Sequence, residues 1–295
     1  MPIEPIIDNG RTMIKKLIGA VAVMLTCTAA IAAESNYPLE KAPDLVANKA
    51  SLQNGAKLFV NHCLNCHSAV SLRYNKLTEI GLTEEQIRDN LLFTGERVGD
   101  LMKIAMRPGD AKTWLGTAAP DLSLIARAKG INAGPSGSDY VYTYLRSFYR
   151  DASTLTGWNN LVYPNVGMPH VMWDDQGPRE LTKVDVHQVR GKNGEPNTWE
   201  RVTTAYDAQG YTSVKREPLP GYTGHATSES RFKALNPAQA TAYERDVADL
   251  TAFMSWMAEP NQLQRKTLGV YVLIFLGLFF VVAWRLSASF WKHVR

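Results

Sequence analysis

The chain has 295 residues, with 32 Lys and Arg against 28 Asp and Glu and a formal net charge of +4. No basic tract interrupts that balance, which argues against a nucleic-acid partner. The stretch from Glu34 to Pro260 is long enough for one domain with a sizeable core, and it contains no internal repeat.

Lys15 and Lys16 precede an apolar run, Leu17 to Ala30, which ends in Ala30-Ile31-Ala32-Ala33. A charged region, an apolar region and an A-x-A-like site together read as a secretory signal peptide over residues 1–33, cleaved after Ala32 or Ala33. Glu4 and Asp8 dilute the charged region, which makes Met13 an alternative start. The run is short for a spanning helix, so a retained N-terminal anchor is the weaker reading. Cys27 lies inside the apolar run, and Thr26 is a poor residue before a lipidated cysteine. After cleavage only Cys63 and Cys66 remain.

Ser51 to His62 is predicted as a helix with Leu52, Ala56, Phe59 and Val60 on one face. Gly55 on that face leaves room for another helix to cross closely. Next comes Cys63-Leu64-Asn65-Cys66-His67, a Cys-x-x-Cys-His run. That is the attachment signature of one covalent c-type haem, with the histidine placed to ligate the iron. A redox pair or half a zinc site uses similar spacing, but zinc would want a second Cys or His pair, and none appears.

Thr83 to Phe93 and Tyr140 to Arg150 are predicted as further helices, with Gly- and Pro-rich stretches between. Iron that only transfers electrons needs a sixth ligand. Met102 and Met106, four apart on an expected helix, read as packing, and so do Met254 and Met257. Met168 is favoured because Tyr163-Pro164-Asn165-Val166-Gly167-Met168-Pro169 is a loop stiffened by proline on both sides. Met172 is next, and His170 is a rival nitrogen ligand. Asp174 to Lys233 is polar and includes Gly191-Lys192-Asn193-Gly194-Glu195-Pro196, so one or two surface loops or a hairpin are expected there.

Thr241 to Glu259 is the second clear helix, with Tyr243, Val247, Leu250, Phe253, Met254 and Met257 at helical spacing and Pro260 as its stop. Thr267 to Trp284 carries no charge. At about 1.5 Å per residue it spans roughly 27 Å, close to the hydrocarbon thickness. Residues 261–286 are therefore expected as a transmembrane anchor and 287–295 as a cytoplasmic tail, with Lys292 and Arg295 following the positive-inside tendency. The haem domain, residues 34–260, would then face the periplasm of a bacterial inner (plasma) membrane, held by a single pass.

These motifs, with Ala119-Pro120-Asp121-Leu122-Ser123 and Trp256-Met257-Ala258-Glu259-Pro260, resemble the cytochrome c1 family over nearly the whole mature chain. Small cytochromes c place the ligand methionine much sooner than the roughly 100 residues that separate His67 from Met168 here. The resemblance implies a mainly α fold: a class I cytochrome c-like haem domain with long loop insertions, plus one C-terminal transmembrane helix. It implies thioether bonds from Cys63 and Cys66, and His67 and Met168 as axial ligands. It also implies a haem pocket with Pro120 packed on the ring, Arg127 or Lys129 at a propionate, Tyr140 in contact, and Tyr163 and Val166 on the methionine side.

The same resemblance implies single-electron transfer from a Rieske iron–sulfur protein to a soluble or membrane-bound cytochrome c. The chain would sit beside cytochrome b in a dimeric bc1 complex, the ubiquinol–cytochrome c oxidoreductase of the respiratory chain. The isolated chain would be an electron carrier without substrate chemistry. The alternative is a membrane-anchored monohaem cytochrome c that serves an oxidase or dehydrogenase outside such a complex. A haem enzyme with an open axial position is a further class.

Overall fold

The structure, a computed structural model, describes residues 37–131, 134–190 and 198–292. The expected signal peptide, the Gly191–Pro196 run and Arg295 lie outside the described residues.

Helix α1 (Lys49–Leu58) starts at Asn48, whose side chain accepts from the Ala50 and Ser51 amides. Such a cap satisfies donors that the first helical turn leaves without partners. The helix runs into a π-helical turn, Phe59–Cys63. Strand β1 (Ala69–Arg73) follows, then helix α2 (Glu84–Asn90), which opens with a Thr83/Gln86 capping box. Strand β2 (Leu101–Met102) pairs antiparallel with β1. Met102 therefore lies on a strand and Met106 on irregular backbone, not on the expected shared helix.

Helix α3 (Pro108–Leu115) has proline in its first turn and stops at Gly116. Helix α4 (Ile125–Ala128) is one turn. Helix α5 (Gly137–Arg146) is set by a Ser136/Asp139 capping box. It ends at Arg146, short of the expected Arg150, because residues 148–150 form strand β3 (Phe148–Arg150) against β4 (Trp158–Asn160). Helix α6 (Trp173–Gln176) follows the Met168 loop.

The segment expected as loops or a hairpin holds a four-stranded antiparallel sheet. Its strands are β5 (Arg179–Val189), β6 (Thr198–Tyr206), β7 (Thr212–Pro218) and β8 (Thr227–Ala234), in the order β7-β6-β5-β8. Only Leu181, Val186 and Val202 of these strands are buried apolar residues. Backbone pairing, more than a continuous apolar face, organises this sheet.

Helix α7 (Pro237–Ala258) begins at Asn236-Pro237, a side-chain cap followed by proline in the first turn. It crosses α1 at Gly55. A Cβ there would lie 2.2 Å from the Asp249 carbonyl oxygen and 2.6 Å from Phe253 Cβ. The Asn54 amide donates to Asp246 and Asp249 at 3.0 and 2.9 Å, and the Phe59 and Phe253 rings sit 5.6 Å apart. The two apolar helices thus cross where Gly55 left room, and their buried faces form one core with Tyr74, Leu77, Ile80 and Ile87.

Three residues link α7 to helix α8 (Gln262–Trp291), which contains the uncharged segment. It is the one described helix long and apolar enough to cross a membrane, and none of its apolar window is buried. The Gln262 amide donates to the Ser255 and Glu259 carbonyls, and Glu259 pairs with Arg265.

Candidate haem site

The π-helical turn ends at Cys63, and the hydrogen-bonded turn that follows carries Cys66. The Leu64 amide donates to the Phe59 carbonyl, and the Cys66 and His67 amides donate to the Cys63 carbonyl at 3.1 and 2.9 Å. The chain therefore curls tightly after α1 and presents Cys63, Cys66 and His67 on one short turn. Both cysteines are free thiols, Cys63 buried and Cys66 half-buried. Burial pushes the Cys63 thiol up to about 12, with Cys66 beside it adding to the rise.

His67 Nδ1 lies 2.7 Å from the Pro120 carbonyl oxygen. A carbonyl only accepts, so Nδ1 carries the proton and Nε2 keeps its lone pair. Burial lowers the His67 pKa, opposed in part by the Pro120 bond and by the Asp121 carboxylate. The ring is thus neutral at neutral pH and fixed by its second nitrogen, as histidine ligands of metals are. Three more bonds bind this turn and β1 to the same segment: Leu122 N–H to the Ser68 carbonyl, Val70 N–H to Asp121 Oδ2 and Ser71 N–H to Ser123 Oγ. Pro120 acts here through its carbonyl, which no reading of its ring from sequence foresaw.

On the methionine side, Met168 is half-buried against Phe148, Trp158 and Val166. The Tyr144 hydroxyl lies 3.4 Å from Met168 Sδ and donates to it. Burial pushes the Tyr144 pKa well above the ordinary range, with the Tyr140 and Tyr163 hydroxyls beside it adding to the rise. The hydroxyl therefore stays protonated. Tyr144 was missed in the sequence because a tyrosine within a helix reads as packing. Its four-residue spacing from Tyr140 was the available signal.

The rival ligands are sealed away. His170 is 1% exposed, stacked on Phe148 at 4.7 Å and edge-on to Trp158 at 5.0 Å. Neither ring nitrogen has a hydrogen-bond partner among the described residues; Gln176 faces the ring from outside bonding geometry. Met172, Met254 and Met257 lie in the main core, and Met102 is buried there too. Met106 is half-buried on irregular backbone.

The outer pocket residues divide. Tyr140 is buried and stacks on Tyr144 at 6.0 Å, and the Lys129 ammonium sits 4.7 Å from the Tyr140 ring centre. Arg127 instead reaches toward Glu259 at 3.9 Å, at the far end of α7. Tyr163 is half-exposed beside Tyr144. The two halves of the site approach through Gly167, where a Cβ would lie 3.8 Å from the Thr117 methyl, three residues before Pro120.

These residues fit a porphyrin. Two free thiols precede a neutral imidazole with one nitrogen open, and a methionine sulfur is held on a separate loop. Phe93, Trp114, Leu124 and Ile131, before and after the Pro120–Ser123 segment in the chain, are all exposed. Exposed apolar side chains of that kind are what a flat apolar macrocycle would cover.

An attachment turn with a histidine held in this way defines a c-type cytochrome. The chain belongs to the Cytochrome C1 family, whose pattern matches residues 44–189 and 236–294. The gap between the two matches takes in β6, β7 and β8, so most of the sheet lies outside the family pattern. The chain is 37% identical over 283 residues to the "Ammonia monooxygenase gamma subunit" of Nitrosomonas europaea, covering 96% of this chain and 99% of that one. It is 37% identical over 282 residues to cytochrome c1 of Allochromatium vinosum, covering 95% and 100%. It is 24% identical over 252 residues to "Cytochrome b/c1" of Bradyrhizobium diazoefficiens, covering 79% of this chain and 31% of that one. Membership of the family makes the chain a haem c electron-transfer subunit.

Proposed function

We propose that the chain carries one haem c, bound through thioethers to Cys63 and Cys66, with His67 and Met168 as its axial ligands. Within a bc1 complex it passes single electrons from a Rieske iron–sulfur protein to a cytochrome c. The bound haem supplies a one-electron couple whose potential a methionine ligand raises. The residues of the chain do the rest. Pro120 orients His67, Tyr144 holds the Met168 sulfur, and filled axial positions exclude substrate. One observation carries this reading: two candidate ligands, on separate segments, are each pinned by a hydrogen bond that leaves an electron pair open.

The resemblance to cytochromes c1 supports cytochrome b as a neighbour, and so does the relative whose printed name joins b and c1. The exposed apolar helix α8 supports a single-pass anchor at residues 261–286, and Lys292 and Arg295 favour a tail, 287–295, on the inside. The expected signal peptide, residues 1–33, would place the domain in the periplasm. The test uses a C-terminally tagged chain extracted gently from membranes. Reduced-minus-oxidised spectra should give a c-type band with b-type bands, and the sample should reduce cytochrome c with quinol. A c-type band without b haem or quinol turnover would exclude the bc1 reading.

A second reading has its own observation. The relative named an ammonia monooxygenase subunit matches across the full length. That name supports a tethered electron carrier serving another oxidoreductase, and the same spectra separate the two.

A further inference from the structure

A cavity of about 310 Å³ opens behind the Met168 loop, where the end of β3, helix α6, the start of β5, the β6–β7 turn and the first turn of α7 meet. Gly177 closes one side with a left-handed φ of 71°, and a Cβ there would strike the Gln239 amide at 2.5 Å. Arg150 and Arg179 line the cavity together with Trp158 and Trp173. The Arg150 guanidinium lies 4.0 Å from the Trp158 ring centre.

Two donors in the wall, Arg179 Nε and the Gln176 amide nitrogen, are unspent. Arg179 Nη2 donates to the Arg146 and Phe148 carbonyls, but its buried Nε has no partner. Gln176, 4% exposed, has both amide atoms without a hydrogen-bond partner. The carboxylates of Glu40 and Glu244 are taken by Arg146, and among the described residues none pairs with Arg150 or Arg179. Burial pushes the Arg179 pKa down to about 10, with the Arg146 cation adding to the fall and Tyr243, Tyr37 and Glu244 opposing it. The Arg179 guanidinium also lies 3.7 Å from the Phe232 ring centre, but an unpaired buried Nε and an unpaired amide each cost free energy, which a suitable guest would offset.

We propose that this cavity binds a small oxyanion, a carboxylate or phosphate group, with Arg150, Arg179 and the Gln176 amide as its donors. Guanidinium forks match the paired oxygens of such groups. Asp174 also lines the cavity, but two cations outweigh one carboxylate there. The volume exceeds what a bare phosphate fills, so the guest has room for a short body against Trp158 and Trp173. Phosphate of this kind comes free in solution or as a lipid headgroup.

The experiment titrates purified full-length holoprotein in detergent, at constant ionic strength with chloride as the control. The probes are inorganic phosphate, acetate and short-chain phosphatidic acid, read by calorimetry and by the rise in unfolding temperature that binding produces. Saturable binding of at least one probe is expected, weakened tenfold or more in both Arg150→Gln and Gln176→Leu, with the c-band spectrum unchanged in each. Phosphatidic acid alone binding would support the site and assign it to a headgroup, whereas phosphate or acetate binding would assign it to a free anion. Failure of all three probes to bind beyond the chloride control would overturn the proposal. Equal binding by wild type and both variants would overturn it as well.

Discussion

The Tyr144 hydroxyl donates to Met168 Sδ across 3.4 Å, and its ring stacks on Tyr140, which lies under the Lys129 ammonium. A donor on the sulfur draws electron density from it and so favours the reduced iron. A hydrogen bond has a net worth of about 1 kcal/mol. On a one-electron couple this corresponds to roughly 40 mV. Tyr144→Phe is therefore expected to lower the reduction potential by about 20–60 mV. Potentiometric titration of the purified protein reads it, and an unchanged potential would remove Tyr144 from the site.

The axial assignment separates Met168 from Met172. Met168→Leu should open the sixth position, lower the potential and allow carbon monoxide to bind the reduced protein. Met172→Leu should do none of these. Met172 is 1% exposed in the core, and a volume-conserving swap there costs less than about 1.5 kcal/mol. Carbon monoxide binding by the Met172 variant, and not by the Met168 variant, would reverse the assignment.

Gly55 is where α1 meets α7. With Asp249 backbone 2.2 Å from the site of a Cβ, even Gly55→Ala must push the helices apart. Overpacking of this kind typically costs about 1–3 kcal/mol. Denaturant unfolding of the haem-loaded protein should show a loss of that size, with Gly55→Leu worse. Wild-type stability in the alanine variant would mean that the crossing is looser than described.

Asp139 joins the segment before α1 to α5. It accepts from the Ala42 and Ser136 amides and the Lys41 ammonium. Burial raises its pKa, but those bonds outweigh burial and hold it below the ordinary value. A folded pKa below the unfolded one adds stability above about pH 4, and that stability is lost as pH falls through the folded value. Asp139→Asn should therefore destabilise by about 1–3 kcal/mol at pH 7, with the gap narrowing toward pH 3. A gap that stays constant with pH would mean that the carboxylate charge is not involved.

The cysteine turn and the two core helices were legible because their signals are local: a five-residue motif, and apolar residues at helical spacing. The Asn236-Pro237 start of α7 was also present as a signal, although the periodicity alone suggested a start at Thr241. The sheet was not legible. Alternation along its strands is faint because few of their side chains are buried, and strand pairing leaves little trace in composition. The Pro120 carbonyl and the Tyr144 hydroxyl escaped for another reason. Each acts on a residue distant in sequence, and only the fold brings them together.

The link between α7 and α8 has a mechanical consequence. It is three residues long, splinted by Gln262 and Arg265 on one side and approached by Arg127 on the other. Such a joint has little torsional slack. With α1 packed closely against α7 at Gly55, a haem held by Cys63 and Cys66 as proposed would keep a nearly fixed position relative to the start of α8. On the proposed reading, electron exchange would then be set by how closely a partner can approach the Cys63–His67 turn.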